Sequence, residues 1–118
     1  MRIVAPTLEY LLDAVAEAHG LTSLVTTHRT RQYAHARQEF YWIAHHLIGA
    51  SLGQIGRAIA RDHTTVLHGL RMVDHRRATD LTYADDLARR EADIVPWIKA
   101  EFIRHGGGAA PEFRRRVA

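Results

Sequence analysis

Apolar residues recur along most of this chain at the three- and four-residue spacings of a helix face, and no segment alternates long enough to build a strand. Leu8, Leu11, Leu12 and Val15 fall at i, i+3, i+4 and i+7 and predict a helix over 7–19, with Thr7 after Pro6 as its N-cap and Gly20 as its left-handed closing residue. The stretch 21–36, LTSLVTTHRTRQYAHA, loses the period. Thr22, Ser23, Thr26 and Thr27 carry hydroxyls that compete for backbone hydrogen bonds, so a short turn of helix over 21–25 and then a basic loop are expected. Phe40, Ile43, Ala44 and Leu47 restore the spacing in a helix over 37–47 that Gly49 ends.

Ser51 then opens a short helix as N-cap, Gln54 completes a capping box, and Leu52, Ile55 and Ile59 point inward. Asp62 is a second N-cap, followed by a helix over 63–77 whose buried stripe is Val66, Leu70 and Val73. Two helices joined by two or three residues must cross rather than lie antiparallel, which is the geometry of a helix-turn-helix over 51–77. Gly56 costs roughly 1 kcal/mol against alanine in mid-helix, and close packing of the two helices is the simplest reason for it. A last helix over 82–105 has Thr82 as N-cap, Asp85 and Asp86 in its first turn facing the helix dipole, and Leu87, Ile94, Ile98 and Phe102 on its apolar face. Pro96 predicts a kink or break near Ile94. The remaining GGGAAPEFRRRVA has no period and reads as a flexible tail or linker over 106–118 that orders on binding through Arg114, Arg115 and Arg116. The expected fold is therefore one all-α domain over 1–105, with five to six helices and no internal repeat.

At 118 residues the chain can bury a core unaided, and the absence of cysteine excludes disulfides and thiolate metal sites. Glu9, Asp13 and Glu17 among the first leucines exclude a membrane span there, so a cytoplasmic protein with no membrane partner is expected. Charge changes the picture more by its distribution than by its total of +3. Between residues 26 and 78 the ionised groups are Arg29, Arg31, Arg37, Arg57, Arg61, Arg71, Arg76 and Arg77 against Glu39, Asp62 and Asp74, a local +5, while 1–25 and 79–105 are each −2. Every base in that block is arginine, whose planar fork binds phosphate and guanine edges bidentately.

The block also holds seven of the nine histidines. Adjacent His45 and His46 cannot face one ion on a helix, His63 and His68 are five apart, and no His-Glu-x-x-His accompanies them, so a metal-dependent nuclease is not expected. No enzyme activity and no cofactor are expected. The helix after Asp62 instead turns His63, Thr64, His68, Arg71 and His75 away from its apolar stripe, a polar face suited to the DNA major groove, with the helix start nearest the base edges. Backbone amides near Ser51 and Asp62 suit phosphates.

The run SLGQIGRAIARDHTTVLHGL resembles the signature of the DNA-binding domain of DnaA, the family of bacterial replication initiators, and the upstream HRTRQYAHARQEFYWIAHHL is similar to its basic loop and the Arg-Gln that follows. The resemblance covers 21–74 and implies a Trp-repressor-like helical domain that binds double-stranded DNA at a short specific box. It also implies that His63 and Thr64 read bases, that Asp62 contacts a base or caps the helix, that Thr65 contacts a phosphate, and that His68 lies close to the backbone. Arg29 would enter the minor groove, and Arg31, Arg37, His45, Ser51 and Leu52 would lie near phosphates; Arg61 in the motif and Arg71 on the polar face complete the expected DNA-binding set.

Three departures stand out. Ile59 and Ala60 replace the family's aromatic-Gly-Gly and shorten the turn by one residue, which is expected to tilt the recognition helix. His45 stands in place of a lysine, and Thr27 and His28 stand where bases are usual. No Gly-rich loop ending in Gly-Lys-Ser/Thr occurs, so neither nucleotide binding nor an ATPase module is expected. The resulting expectation is a transcription regulator of the prophage or gene-transfer-agent type, on the nucleoid, as a homodimer or with a second regulatory protein. An origin-associated binder of the initiator's box is the alternative, as is a protein-interaction module that has lost DNA binding and uses the acidic first and last helices with Trp97, Ile98 and Phe102.

Overall fold

A computed structural model describes residues 4–104, and the side chains of 7–100, 103 and 104. Phe40, Tyr41, Trp42, Ile43 and Ala44 are consecutive and all buried, which in a helix means that it is enclosed on every side. That helix, α2 (Arg31–Ile43), packs on α1 (Val4–Ala18) and α4 (His63–Thr79), while α3 (Leu52–Ile59) and α5 (Leu81–Arg104) each pack on both α1 and α4. No strand occurs among the described residues, as the apolar spacing predicts.

Leu8, Leu11 and Val15 of α1 are buried as expected, and Gly20 takes φ +70° just beyond its end. The helix nevertheless starts at Val4, so Thr7 lies inside it and is buried instead of capping it. Proline has no amide to lose in a first turn, and Pro6 is accommodated there. The expected helix over 21–25 is absent. Ser23 Oγ accepts from the Val25 amide at 3.1 Å and Thr26 Oγ1 from the His28 amide at 3.3 Å, so the hydroxyls take the N–H groups a helix would need.

The second helix begins at Arg31, six residues before the expected start at Arg37, which places Arg31 on a helix and not in the loop. Its end widens into a π-helical turn, Ala44–Ile48, closed by Gly49 at φ 82°. Between α4 and α5 stands Asp80 alone, whose amide donates to the Arg76 carbonyl at 2.9 Å while its carboxylate accepts from the Tyr83 amide at 3.1 Å. Asp80, not Thr82, therefore caps α5, and Asp85 and Asp86 fall beyond the first turn. The helix continues through Pro96 without a break. The Phe102 side chain and the segment 106–118 lie outside the described residues.

One buried ion cluster fixes three helices together. Glu39, 1% exposed on α2, accepts from Arg90 Nε of α5 at 2.8 Å and from His19 Nε2, just past α1, at 3.0 Å.

Candidate nucleic-acid interface

The crossing of α3 and α4 is set by its turn. Ser51 caps α3 with both halves of the expected box: its Oγ accepts from the Gln54 amide at 3.1 Å, and its own amide donates to Gln54 Oε1 at 2.8 Å. The other end closes as a Schellman motif, the Arg61 amide reaching the Gly56 carbonyl at 2.8 Å and the Ala60 amide the Arg57 carbonyl at 3.4 Å. A Cβ on Gly56 would stand 2.5 Å from the Arg61 carbonyl oxygen, so the glycine is required by the backbone of the turn folding back on α3. Asp62 then caps α4, Oδ2 accepting from the Thr64 amide at 3.0 Å and from the Thr64 hydroxyl. Those two bonds hold the Asp62 carboxyl below the usual carboxylate range, so it is ionised at neutral pH.

On α4, Val66, Leu70 and Val73 are buried, and His63, Thr64, Thr65, His68 and Arg71 are exposed along the opposite side. The division follows the sequence expectation. Gly69 is a buried residue that sequence reasoning missed: its Cα faces the Tyr41 ring so closely that a Cβ would lie 2.7 Å from Cε2. Between α2, the turn and α4 lies a cleft of about 180 Å³ lined by Arg37, Gln38, Tyr41, Arg61, Thr65 and His68. Tyr41 and Gln38 carry no local signal that marks them as lining it.

The basic loop is where the structure departs most from the expected site. Arg37 is buried, not presented to a phosphate. Its Nε donates to the Leu24 carbonyl at 2.9 Å, Nη1 to the His28 carbonyl at 2.7 Å, and Nη2 to the Thr26 carbonyl at 2.8 Å and Thr26 Oγ1 at 3.0 Å. A guanidinium with its donors consumed by backbone oxygens is a staple for the loop. Burial, followed by the charge of Arg61, pushes its pKa down from the usual arginine value. Arg61 is half-buried and reaches the same Thr26 carbonyl at 2.8 Å with Nη2, while its Nη1 bonds the Ala60 carbonyl at 3.2 Å.

His45 is likewise half-buried, and Nδ1 lies 3.1 Å from the Ala50 carbonyl, so the ring braces the connection into α3 and does not stand out toward a phosphate. Ser51 is exposed but its hydroxyl is committed to its cap; the amides of half-buried Leu52 and of Gly53, outside the helical ladder, remain as the donors at this helix start. Arg29, Arg31 and Arg71 are exposed and make no side-chain hydrogen bond or ion pair with other described residues. His28 beside them stacks on Tyr33 with ring centroids 4.8 Å apart. His35, set back from this face, is held below the ordinary imidazole value by burial and then by Arg76 and Arg31.

The assembled surface is thus a capped helix start with five exposed polar side chains, flanked by a stapled loop that carries Arg29 and by Arg31 at the start of α2. A family model described as the bacterial dnaA protein helix-turn-helix matches residues 8–73. The chromosomal replication initiator protein DnaA of Cereibacter sphaeroides is 39% identical over 84 residues, which cover 69% of this chain and 18% of that one. Its counterpart in Caulobacter vibrioides is 39% identical over 84 residues, covering 69% of this chain and 17% of that one. The chain thus spans less than a fifth of the length of these curated relatives. A solved structure described as that of a DNA replication initiation factor aligns with a TM-score of 0.71 at 23% identity, over 80% of this chain and 30% of that one, and shares the fold. With more than half of its length matched by the family model and its helix-turn-helix intact, this chain belongs to the bacterial DnaA helix-turn-helix family.

Proposed function

We propose that this chain binds double-stranded DNA at a short specific box, with the start of α4 in the major groove and Arg29 in the adjacent minor groove. The observation that carries the reading is the exposed row His63, Thr64, Thr65, His68 and Arg71, held on a buried stripe and capped by an ionised Asp62, beside a loop whose exposed Arg29 makes no side-chain hydrogen bond or ion pair with other described residues. Short donors and acceptors at a helix start reach base edges, and free guanidinium groups reach phosphates and narrow minor grooves. The role is recognition without a reaction of its own.

Regulation of transcription is the use we assign to that recognition: the described residues carry a reading head, and a promoter asks only for occupancy. The relatives, named as chromosomal replication initiators, favour an origin-associated role as the second reading. Fluorescence anisotropy of a labelled duplex carrying an initiator-type box, against a scrambled duplex over a salt series, tests the binding. Box-selective affinity that falls steeply with salt is the expected result. Equal weak affinity for both duplexes at low salt would overturn it. Mapping occupancy along the chromosome then separates promoters from the origin.

A further inference from the structure

The Thr26 carbonyl is the meeting point of two arginines that come from different elements. Arg37 of α2 and Arg61 of the helix-turn-helix turn each place an Nη2 at 2.8 Å from it, across 11 and 35 residues of chain. Two like charges converging on one carbonyl oxygen repel each other, and after burial the charge of Arg61 is the next cause of the lowered Arg37 pKa. The arrangement is kept all the same, and it leaves Arg29 and Arg31 exposed three and five residues further along the chain. Arg61 immediately precedes the α4 cap, and its Nη1 also holds the Ala60 carbonyl inside the turn. One side chain therefore touches both the backbone that aims the recognition helix and the backbone that aims the loop.

We propose that Arg61 is a positioning residue which couples the base-reading helix to the loop through the Thr26 carbonyl, so that docking of α4 sets where Arg29 meets the DNA. The proposal rests on the DNA-binding reading above and deepens it. Arg37 staples the loop to the body of the fold; Arg61 sets its register against the reading head. A consequence is reciprocal: whatever strengthens engagement of Arg29 strengthens engagement of α4 by the same factor.

The coupling is tested by a double-mutant cycle between Arg61 and Arg29 on the box duplex. Arg61→Ala is expected to weaken box binding about tenfold when Arg29 is present and less than about twofold in an Arg29→Ala background, the non-additivity of residues that act as a unit. Arg61→Lys keeps the charge but has one ammonium in place of the two nitrogens that hold Ala60 and Thr26, and is expected to behave like Arg61→Ala. Equal losses in both backgrounds, a salt slope reduced by about one, and retention of affinity by the lysine variant would identify a direct phosphate contact and overturn the proposal. A second measurement needs no DNA. Limited trypsin digestion at the Arg29–Thr30 bond, followed by mass spectrometry, is expected to run several-fold faster in Arg61→Ala than in wild type or in Arg57→Ala, a control on exposed α3 surface. An unchanged cleavage rate would overturn the coupling even where wild-type protein binds the box, and an accelerated one would show that Arg61 holds the loop to the turn even where the DNA-binding reading fails.

Discussion

Ala60 stands at φ 57° at the end of α3, in the left-handed region where a Cβ crowds the backbone, and it is the one non-glycine residue with positive φ among those described. Glycine removes that crowding at the cost of a freer unfolded chain, so Ala60→Gly is expected to raise unfolding free energy by about 0.5–1 kcal/mol in urea titrations. A lower stability for the variant would mean that the methyl group makes compensating contacts. Two other residue-scale expectations concern recognition. His63→Ala or Thr64→Ala should cost roughly 1–3 kcal/mol on a specific box and little on random duplex, read by anisotropy on both; equal losses would show that α4 does not read bases. Arg29→Ala should weaken binding most where the box is flanked by A·T tracts, whose narrow minor groove concentrates negative potential, and indifference to the flanks would remove Arg29 from that groove. At this scale local partners were legible in the sequence and distant ones were not. Asp62 and Ser51 cap through neighbours two or three residues away, so their roles follow from spacing. Arg37 bonds carbonyls 9 to 13 residues back and Glu39 an arginine 51 residues on, and no periodicity announces such partners.

Among the elements, α4 serves two masters, a core stripe toward α2 and a polar row toward solvent, and Gly69 is where the first sets the position of the second. Helix propensity alone favours alanine there by about 1 kcal/mol. The Tyr41 ring, itself buried at 3% exposure, fills the space a Cβ would need, and displacing a packed aromatic typically costs 1–3 kcal/mol. Gly69→Ala is therefore expected to lower the thermal midpoint and to weaken box binding by pushing α4 off α2. A stabilised variant with wild-type affinity would show that the contact yields freely. The stripes of α1, α2, α3 and α4 were readable because each keeps the period 3.6, whereas the first turns of α1 and α2 were not, since Pro6 reads as a helix boundary and α2 opens on the polar pair Arg31-Gln32. Asp80 escaped notice for a related reason: a cap shared between two helices leaves no loop between them for composition to mark.

Across the whole molecule the basic face and the acidic α1 and α5 segments meet at one buried cluster, Glu39 with His19 and Arg90, which joins the ends of the chain to its centre. Burial pushes the Glu39 carboxyl up, but the bonds from His19 and Arg90 outweigh it and leave the carboxyl below its ordinary value of 4.5. The Arg90 guanidinium is raised in turn, first by its hydrogen bond to Glu39. A carboxyl depressed in the folded state stabilises that state fully above its unfolded value and loses the contribution as pH falls through the folded value. Stability from this cluster should hold through neutral pH and decline below about pH 4.5. Glu39→Gln removes the charge while keeping the shape, leaves Arg90 facing a neutral amide, and is expected to cost on the order of 3 kcal/mol at pH 7. The gap between wild type and variant, measured by urea unfolding at a series of pH values, should then narrow progressively in acid as the wild-type carboxyl protonates. A gap that stays constant to pH 3 would mean that Glu39 holds the helices by packing alone, and the electrostatic account of how α5 is fastened to α2 would fall with it.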